Sequence, residues 1–251
     1  MKILLTNDDG VDALGLRCLE NALRAEHDVL LCAPDREQSA SSHSLSISRP
    51  LRLIERGEKR YACDGTPTDC VLLAIHGLLG GEMPDLILSG INHGQNMGED
   101  ITYSGTVAAA IEGSILRVRS IAASLVESEG GSFPKEESFA SATRFLVEFI
   151  GKLDELKIEP QTFLNINFPD LNGAEYTKRE FTRLGSRMFD DLVIERQDPR
   201  GQSYYWIGGK PNWEIKDGTD YAAVKNGLVS ITPLRLNFDD DITRERLNKG
   251  G

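Results

Sequence analysis

The chain has 251 residues, 40% of them hydrophobic, and a formal net charge of −11 at pH 7. That length can enclose a sizeable α/β interior, and no stretch approaches the roughly 18 apolar residues that cross a bilayer. The acidic balance argues against a nucleic-acid polymer as the main partner, because affinity for phosphate backbones comes from clustered Lys and Arg.

The first residues read straight into a strand, with no basic leader or long apolar run of secretory type, so a cytoplasmic location is expected. Ile3-Leu4-Leu5-Thr6 suits a strand buried on both faces, and it empties into Asn7-Asp8-Asp9-Gly10. Ligands of open α/β sheets gather outside the carboxyl ends of the strands, where Asp8 and Asp9 would sit. Adjacent carboxylates repel, and a divalent cation is the usual remedy. The plainer alternative is a solvated turn with Asp9 as a helix cap. Leu16, Leu19 and Leu23 then mark an amphipathic helix, and Val29 to Ala33 a second strand, completing a βαβ unit. Neither a dinucleotide fingerprint nor a P-loop follows the first strand, which argues against a nicotinamide dehydrogenase or a P-loop enzyme.

Pro34 to Ser44 is a long polar loop of the kind that tends to be functional. Residues 51–54 and 60–63 read as a small hairpin at the sheet edge. Thr66, Pro67 and Asp69 open a helix as N-cap, first residue and first-turn acid, and Gly80-Gly81 ends it. Residues 84–89 form a third parallel strand, followed by a loop from Gly90 to Gly98 whose glycines and asparagines suit close approach to a ligand. Ser104, Gly105 and Thr106 start the next helix, where free N–H groups and hydroxyls make an anion site or a plain cap.

Residues 120–126 supply a fourth strand, Phe139 to Leu153 a clear helical stripe, and Phe163 to Phe168 a further strand. This gives a doubly wound core over 1–170. From 171 to 251 the composition changes. Trp206, Trp213, Tyr204 and Tyr205 mark a β-rich arm that would bury little alone and is expected to pack on another subunit. A nucleic-acid stacking platform is the alternative. A short helix near 219–224 and a strand at 228–234 follow, and the tail beyond Phe238 reads as solvated. Cys18, Cys32, Cys63 and Cys70 lack metal-finger spacing and read as buried free thiols.

The rims of the first three strands thus present Asp8 and Asp9, Ser39, and Asn92 and Asn96, beside the helix start at Ser104. Short oxygen donors without thiolates or a histidine pair fit Mg²⁺ or Mn²⁺ better than zinc. Such an ion beside an anion-binding helix end is a recipe for phosphate-ester hydrolysis. His43 and His93 are the histidines near the rim, each a candidate general acid or a plain loop residue. A receiver domain would need a phosphoacceptor Asp where this chain has Asn92, and an alternating-Asp phosphatase would need an acid at Gly10.

At NDDG (7–10), APDREQSASSHSLS (33–46), DGTPTDCV (64–71), SGINHGQNMGED (89–100), YSGTVAAAIEG (103–113) and SITPL (230–234), the chain closely resembles the SurE family of survival-protein 5′-nucleotidases. The resemblance implies a Rossmann-like, mostly parallel α/β domain with a C-terminal β-rich arm exchanged in a homodimer or homotetramer. It implies one divalent ion per subunit held by Asp8, Asp9, Ser39 and Asn96, with nucleoside monophosphates as substrates. Asn92, Ser104, Gly105 and Thr106 would then hold the phosphate, and Asp8 or Asp9 would be base or nucleophile. The chain departs from the family pattern at Asp12 to Gly15 and at Ala108, neither a predicted contact. A nucleotide-binding regulator that does not turn its ligand over is the alternative function. The sequence leaves open 5′ against 3′ preference and activity on polyphosphate.

Overall fold

A computed structural model describes residues 1–127, 135–189, 193–207 and 211–249. The first half runs β1 (Lys2–Thr6), α1 (Leu14–Leu23), β2 (Asp28–Pro34), β3 (Leu53–Gly57), β4 (Arg60–Cys63), α2 (Pro67–Leu73) and β5 (Leu86–His93). It continues through α3 (Gly105–Ile115), β6 (Arg119–Leu125), α4 (Glu136–Ile150) and β7 (Thr162–Phe168). The remainder comprises β8 (Arg179–Phe181), β9 (Arg187–Phe189), β10 (Val193–Gln197), β11 (Ser203–Ile207), β12 (Pro211–Trp213), α5 (Asp220–Lys225), β13 (Val229–Arg235) and α6 (Asp241–Lys249).

Nine of these strands form one sheet in the order β3-β4-β2-β1-β5-β6-β7-β13-β8. β1 is hydrogen-bonded in parallel on both sides, to β2 and β5, so its apolar residues have no solvent face. Leu5 points into a cluster with Leu16 and Leu19 of α1 and Phe139 and Leu146 of α4. Leu4 points the other way, onto Cys70 and Val71 of α2 and Ala109 of α3. Helices on both faces of a mostly parallel sheet make this an α/β architecture, with the antiparallel hairpin β10–β11 added to it. Order reverses at β1, because β2 and β5 leave on opposite sides. Crevices at such a switch point, outside the carboxyl ends of the strands, are where ligands of these sheets bind.

The expected elements appear with three adjustments. The edge hairpin is β3–β4, but its first strand begins at Leu53 rather than at residue 51. β5 does not stop at Ser89: after a register shift it stays paired with β6 through Asn92↔Ser124 and His93↔Leu125. Half of the expected ligand loop is therefore rigid sheet. The sheet also continues past residue 170, since β13 pairs antiparallel with β7 and β8 pairs with β13. β7 is buried along almost its whole length, which an edge strand is not.

The helix opened by Thr66 carries the expected capping box with Asp69 and ends in a π-helical turn, Ala74–Leu78. The tail expected to be solvated forms α6, which buries none of its residues. All four cysteines are free; Cys32, Cys63 and Cys70 are buried and Cys18 is partly exposed. The expected arm spans 190–192 and 208–210, which lie outside the described residues.

Candidate active site

The turn after β1 is tied by its own asparagine. Asn7 Oδ1 accepts from Gly10 N at 3.2 Å and Asn7 Nδ2 donates to Gly10 O at 3.0 Å, while Gly10 takes a φ of 104° that a side chain would disfavour. This closed turn fixes the direction of the two acids. Asp8 is 4% exposed, and Thr106 Oγ1 of α3 donates a hydrogen bond to its Oδ1. Asp9 faces β5 instead, with Oδ2 accepting from His93 N at 3.0 Å. Burial pushes the Asp8 acid upward, opposed by the Thr106 hydroxyl and by the first N–H groups of α3. Asp9 is pushed up to about 7, by burial first and then by the charge of Asp8. Neither carboxylate has a Lys or Arg partner among the described ion pairs; Asp9 has only His93 Nδ1 at 3.8 Å.

The structure gathers Asp8, Ser39, Asn92, His93, Asn96 and Ser104 around one cavity of about 560 Å³, within the range of small-molecule sites. Of the expected set, Asp9, Gly105 and Thr106 do not border it. Thr106 serves Asp8 instead of facing an open anion site. Ser104 caps α3, its Oγ accepting from Val107 N at 3.1 Å. Ser39 Oγ donates to Glu37 Oε1 at 2.7 Å, which leaves its lone pairs to act as donors toward a cation. Asn92 Nδ2 donates to Gly94 O at 2.8 Å and to His93 O at 3.2 Å, so its amide presents only its oxygen. An oxygen suits a cation better than the phosphate assigned to Asn92 from sequence. His93 lies on the cavity wall, whereas His43 is turned onto Glu112 Oε2 at 2.8 Å.

The cluster fits a hard divalent ion: buried carboxylates raised by desolvation, Asp9 also by the charge of Asp8, with neutral oxygens alongside. Among the described residues no three His, Cys, Asp or Glu side chains are grouped to hold a metal. A cation here would therefore draw on Ser39 and the asparagines as well as the two acids.

Residues 3–191 match the family described as Survival protein SurE. The chain belongs to the SurE family. It is 47% identical over 239 residues to the 5′-nucleotidase SurE of Geotalea daltonii, covering 95% of this chain and 94% of the relative. For the 5′-nucleotidase SurE of Geobacter metallireducens the identity is 48%, covering 95% and 92%. The crystal structure of the SurE protein from Aquifex aeolicus superposes with a TM-score of 0.86 at 38% identity over 99% of each chain. No helix among the described residues is long and apolar enough to cross a membrane.

In this SurE-family chain the second half supports the site in ways that the motif reading missed. Asn96 N donates to Asn167 Oδ1 at 2.9 Å, and Asn96 O accepts from Asn165 Nδ2 at 2.8 Å and Asn167 Nδ2 at 2.9 Å. Asn96 Nδ2 donates to Ser124 Oγ at 2.8 Å, leaving its own oxygen for the cavity. Buried Asp220 accepts from Gly98 N and Gly185 N, each at 2.8 Å, and Tyr221 Oη donates to Met97 O at 3.0 Å. The signal for this support was present as polar residues in apolar runs: two asparagines within β7 and an aspartate opening α5. Ser41 gave no such signal. Its Oγ is buried and meets no hydrogen-bonding partner among the described residues.

Proposed function

We propose that this chain is a cation-dependent phosphomonoester hydrolase acting on nucleoside 5′-monophosphates, in line with the relatives named 5′-nucleotidase SurE. One observation carries the reading: Asp8 lines a switch-point cavity together with neutral oxygen donors, and neither it nor the adjacent Asp9 has a Lys or Arg partner among the described ion pairs. Asp8, Asp9, Ser39 and Asn96, joined by the Asn92 oxygen, would hold Mg²⁺ or Mn²⁺. When bound, such an ion polarises the phosphoryl oxygen and offsets the charge that develops as the ester bond breaks.

The chain's own residues divide the remaining work. Asp8 borders the cavity and is held by Thr106, so it is the carboxylate placed to act as nucleophile or base toward a phosphoryl group. Asp9, set on the β5 backbone, anchors the cation side. Burial lowers the pKa of the His93 imidazole and so favours its neutral form, opposed by the charge of Glu37. Ser104, at the first turn of α3, marks the end of the cavity where a phosphate meets the positive end of the helix dipole.

The arm supports a further part of the proposal, association of identical chains. β10–β11 leaves Tyr205 and Trp206 60% and 64% exposed on its two opposite faces, apolar surface that a second copy would cover. The hydrolase reading is tested by phosphate release from AMP with Mn²⁺ in the wild type and in Asp8→Asn. Turnover abolished in the variant supports it; AMP bound but intact in the wild type favours a regulator instead.

A further inference from the structure

The cavity is larger than a phosphate and a cation require, and its chemistry changes along its length. Beyond Asp8 and Ser104 its wall is formed by Tyr103 and Ile207, with Asp100 and Arg187 beside them. Tyr103 is 61% exposed, and its backbone is held on both sides, N donating to Asp100 O and O accepting from Ser42 N, each at 3.0 Å. The chain thus anchors the backbone that carries an aromatic ring at the mouth of the site and leaves the ring exposed. Ile207, at the end of β11, is 81% exposed and borders the same space. Arg187 Nη1 is ion-paired with Asp100 Oδ1, and both side chains are largely withdrawn from solvent, at 17% and 18%.

We infer that Tyr103 is the platform on which the nucleobase of the substrate lies, with Ile207 of the arm over its outer side and the Asp100–Arg187 pair along its polar edge. The inference rests on the nucleoside monophosphate reading above and adds the residues that recognise the nucleoside. A planar heterocycle has apolar faces and a hydrogen-bonding edge. The cavity mouth offers the matching set, an aromatic face and an aliphatic face adjoining a charged rim. Tyr103 directly precedes Ser104, so the platform lies one residue from the helix end assigned to the phosphate. A ring used this way is tolerant of which base it meets, because every base has a π face. Tyr103 and Ile207 act on binding of the nucleoside and not on the reacting phosphoryl group.

The test compares AMP with ribose 5-phosphate, which lacks the base, in the wild type, Tyr103→Ala and Tyr103→Phe with Mn²⁺. Loss of stacking predicts that Tyr103→Ala raises KM for AMP about tenfold or more, leaves kcat within about twofold, and leaves both constants for ribose 5-phosphate unchanged. Tyr103→Phe, which keeps the ring, should match the wild type, and Ile207→Ala should show a smaller rise for AMP alone. Equal losses on both substrates, or no change on AMP, would overturn the platform. So would a change in the association state of Tyr103→Ala with its kinetics intact, which would make the ring a subunit contact. Should the wild type hydrolyse neither substrate, the hydrolase reading fails by itself. The platform is then judged by affinity for the same two compounds: weaker AMP binding alone in Tyr103→Ala upholds it, and equal effects on both overturn it.

Discussion

Replacing Gly105 by alanine tests whether the position of Asp8 sets the rate. A Cβ at Gly105 would lie 2.7 Å from Ser41 Oγ, 2.8 Å from Asp8 Cβ and 3.0 Å from Asp8 Oδ2. Ordinary carbon contacts are about 3.5–4.0 Å, so roughly 1 Å must be recovered by moving Asp8 or the start of α3. Asp8 has little room to give, because Thr106 holds its carboxylate and Gln38 N donates to its carbonyl at 2.7 Å. A misplacement of about 1 Å at a reacting group can cost on the order of 100-fold, equivalent to about 2.7 kcal/mol of transition-state stabilisation. Alanine is itself a good helix residue, so the fold should survive and the loss should fall on the chemistry. Steady-state phosphate release from AMP, with a circular dichroism melt of the same sample, checks this. The expected result is kcat/KM lowered about 100-fold with a melting temperature within about 5 °C of the wild type. A folded variant with wild-type kcat/KM would refute the placement of Asp8 as the reacting carboxylate.

Other expectations follow from the same geometry. The Asp9 acid is pushed up to about 7, so its contribution favours folding at low pH and is lost as pH rises through about 7. The difference from its ordinary value of 3.8 amounts to at most about 4 kcal/mol. Chelated protein should therefore melt several degrees lower at pH 8 than at pH 6, Asp9→Asn should flatten that slope, and parallel pH curves for the two proteins would contradict it. Asn167→Ala leaves the buried N–H of Asn96 without its partner, while the C=O keeps its bond from Asn165, at about 1–3 kcal/mol for the unsatisfied N–H. Calorimetric Mn²⁺ titration should show weaker binding, by about tenfold, along with a lower melting temperature. Ser41→Ala removes a buried hydroxyl that has no partner among the described residues. It should raise the melting temperature of the ligand-free chain slightly, and a fall would show that the hydroxyl is satisfied.

The parts legible in the sequence were those that local pattern determines. β1 and β2 are apolar runs buried on both faces, and α4 carries an apolar stripe at helical spacing that packs onto β1's neighbours. Asp8 and Asp9 stood out because they follow β1, and Ser104 because it opens α3. What local pattern could not supply was pairing across long separations. β13 reaches β7 through Ser230↔Asn167, and nothing in either run names the other. Asn92 and His93 look like loop residues by composition, yet pairing with β6 keeps them in the sheet. Thr106 looked like a phosphate ligand because a helix start offers donors, and only the folded chain shows that Asp8 claims its hydroxyl. The N–H groups of Asn92 are likewise engaged by neighbouring carbonyls, which local pattern did not indicate.

In the proposed function the acidic pair and its neutral neighbours work through a single hard cation. Phosphate release from AMP, followed before chelation, after removal of divalent ions and after Mn²⁺ is restored, addresses it directly. Activity should disappear on removal and return with about one equivalent of Mn²⁺ per chain. Turnover that continues unchanged in the stripped protein would contradict it.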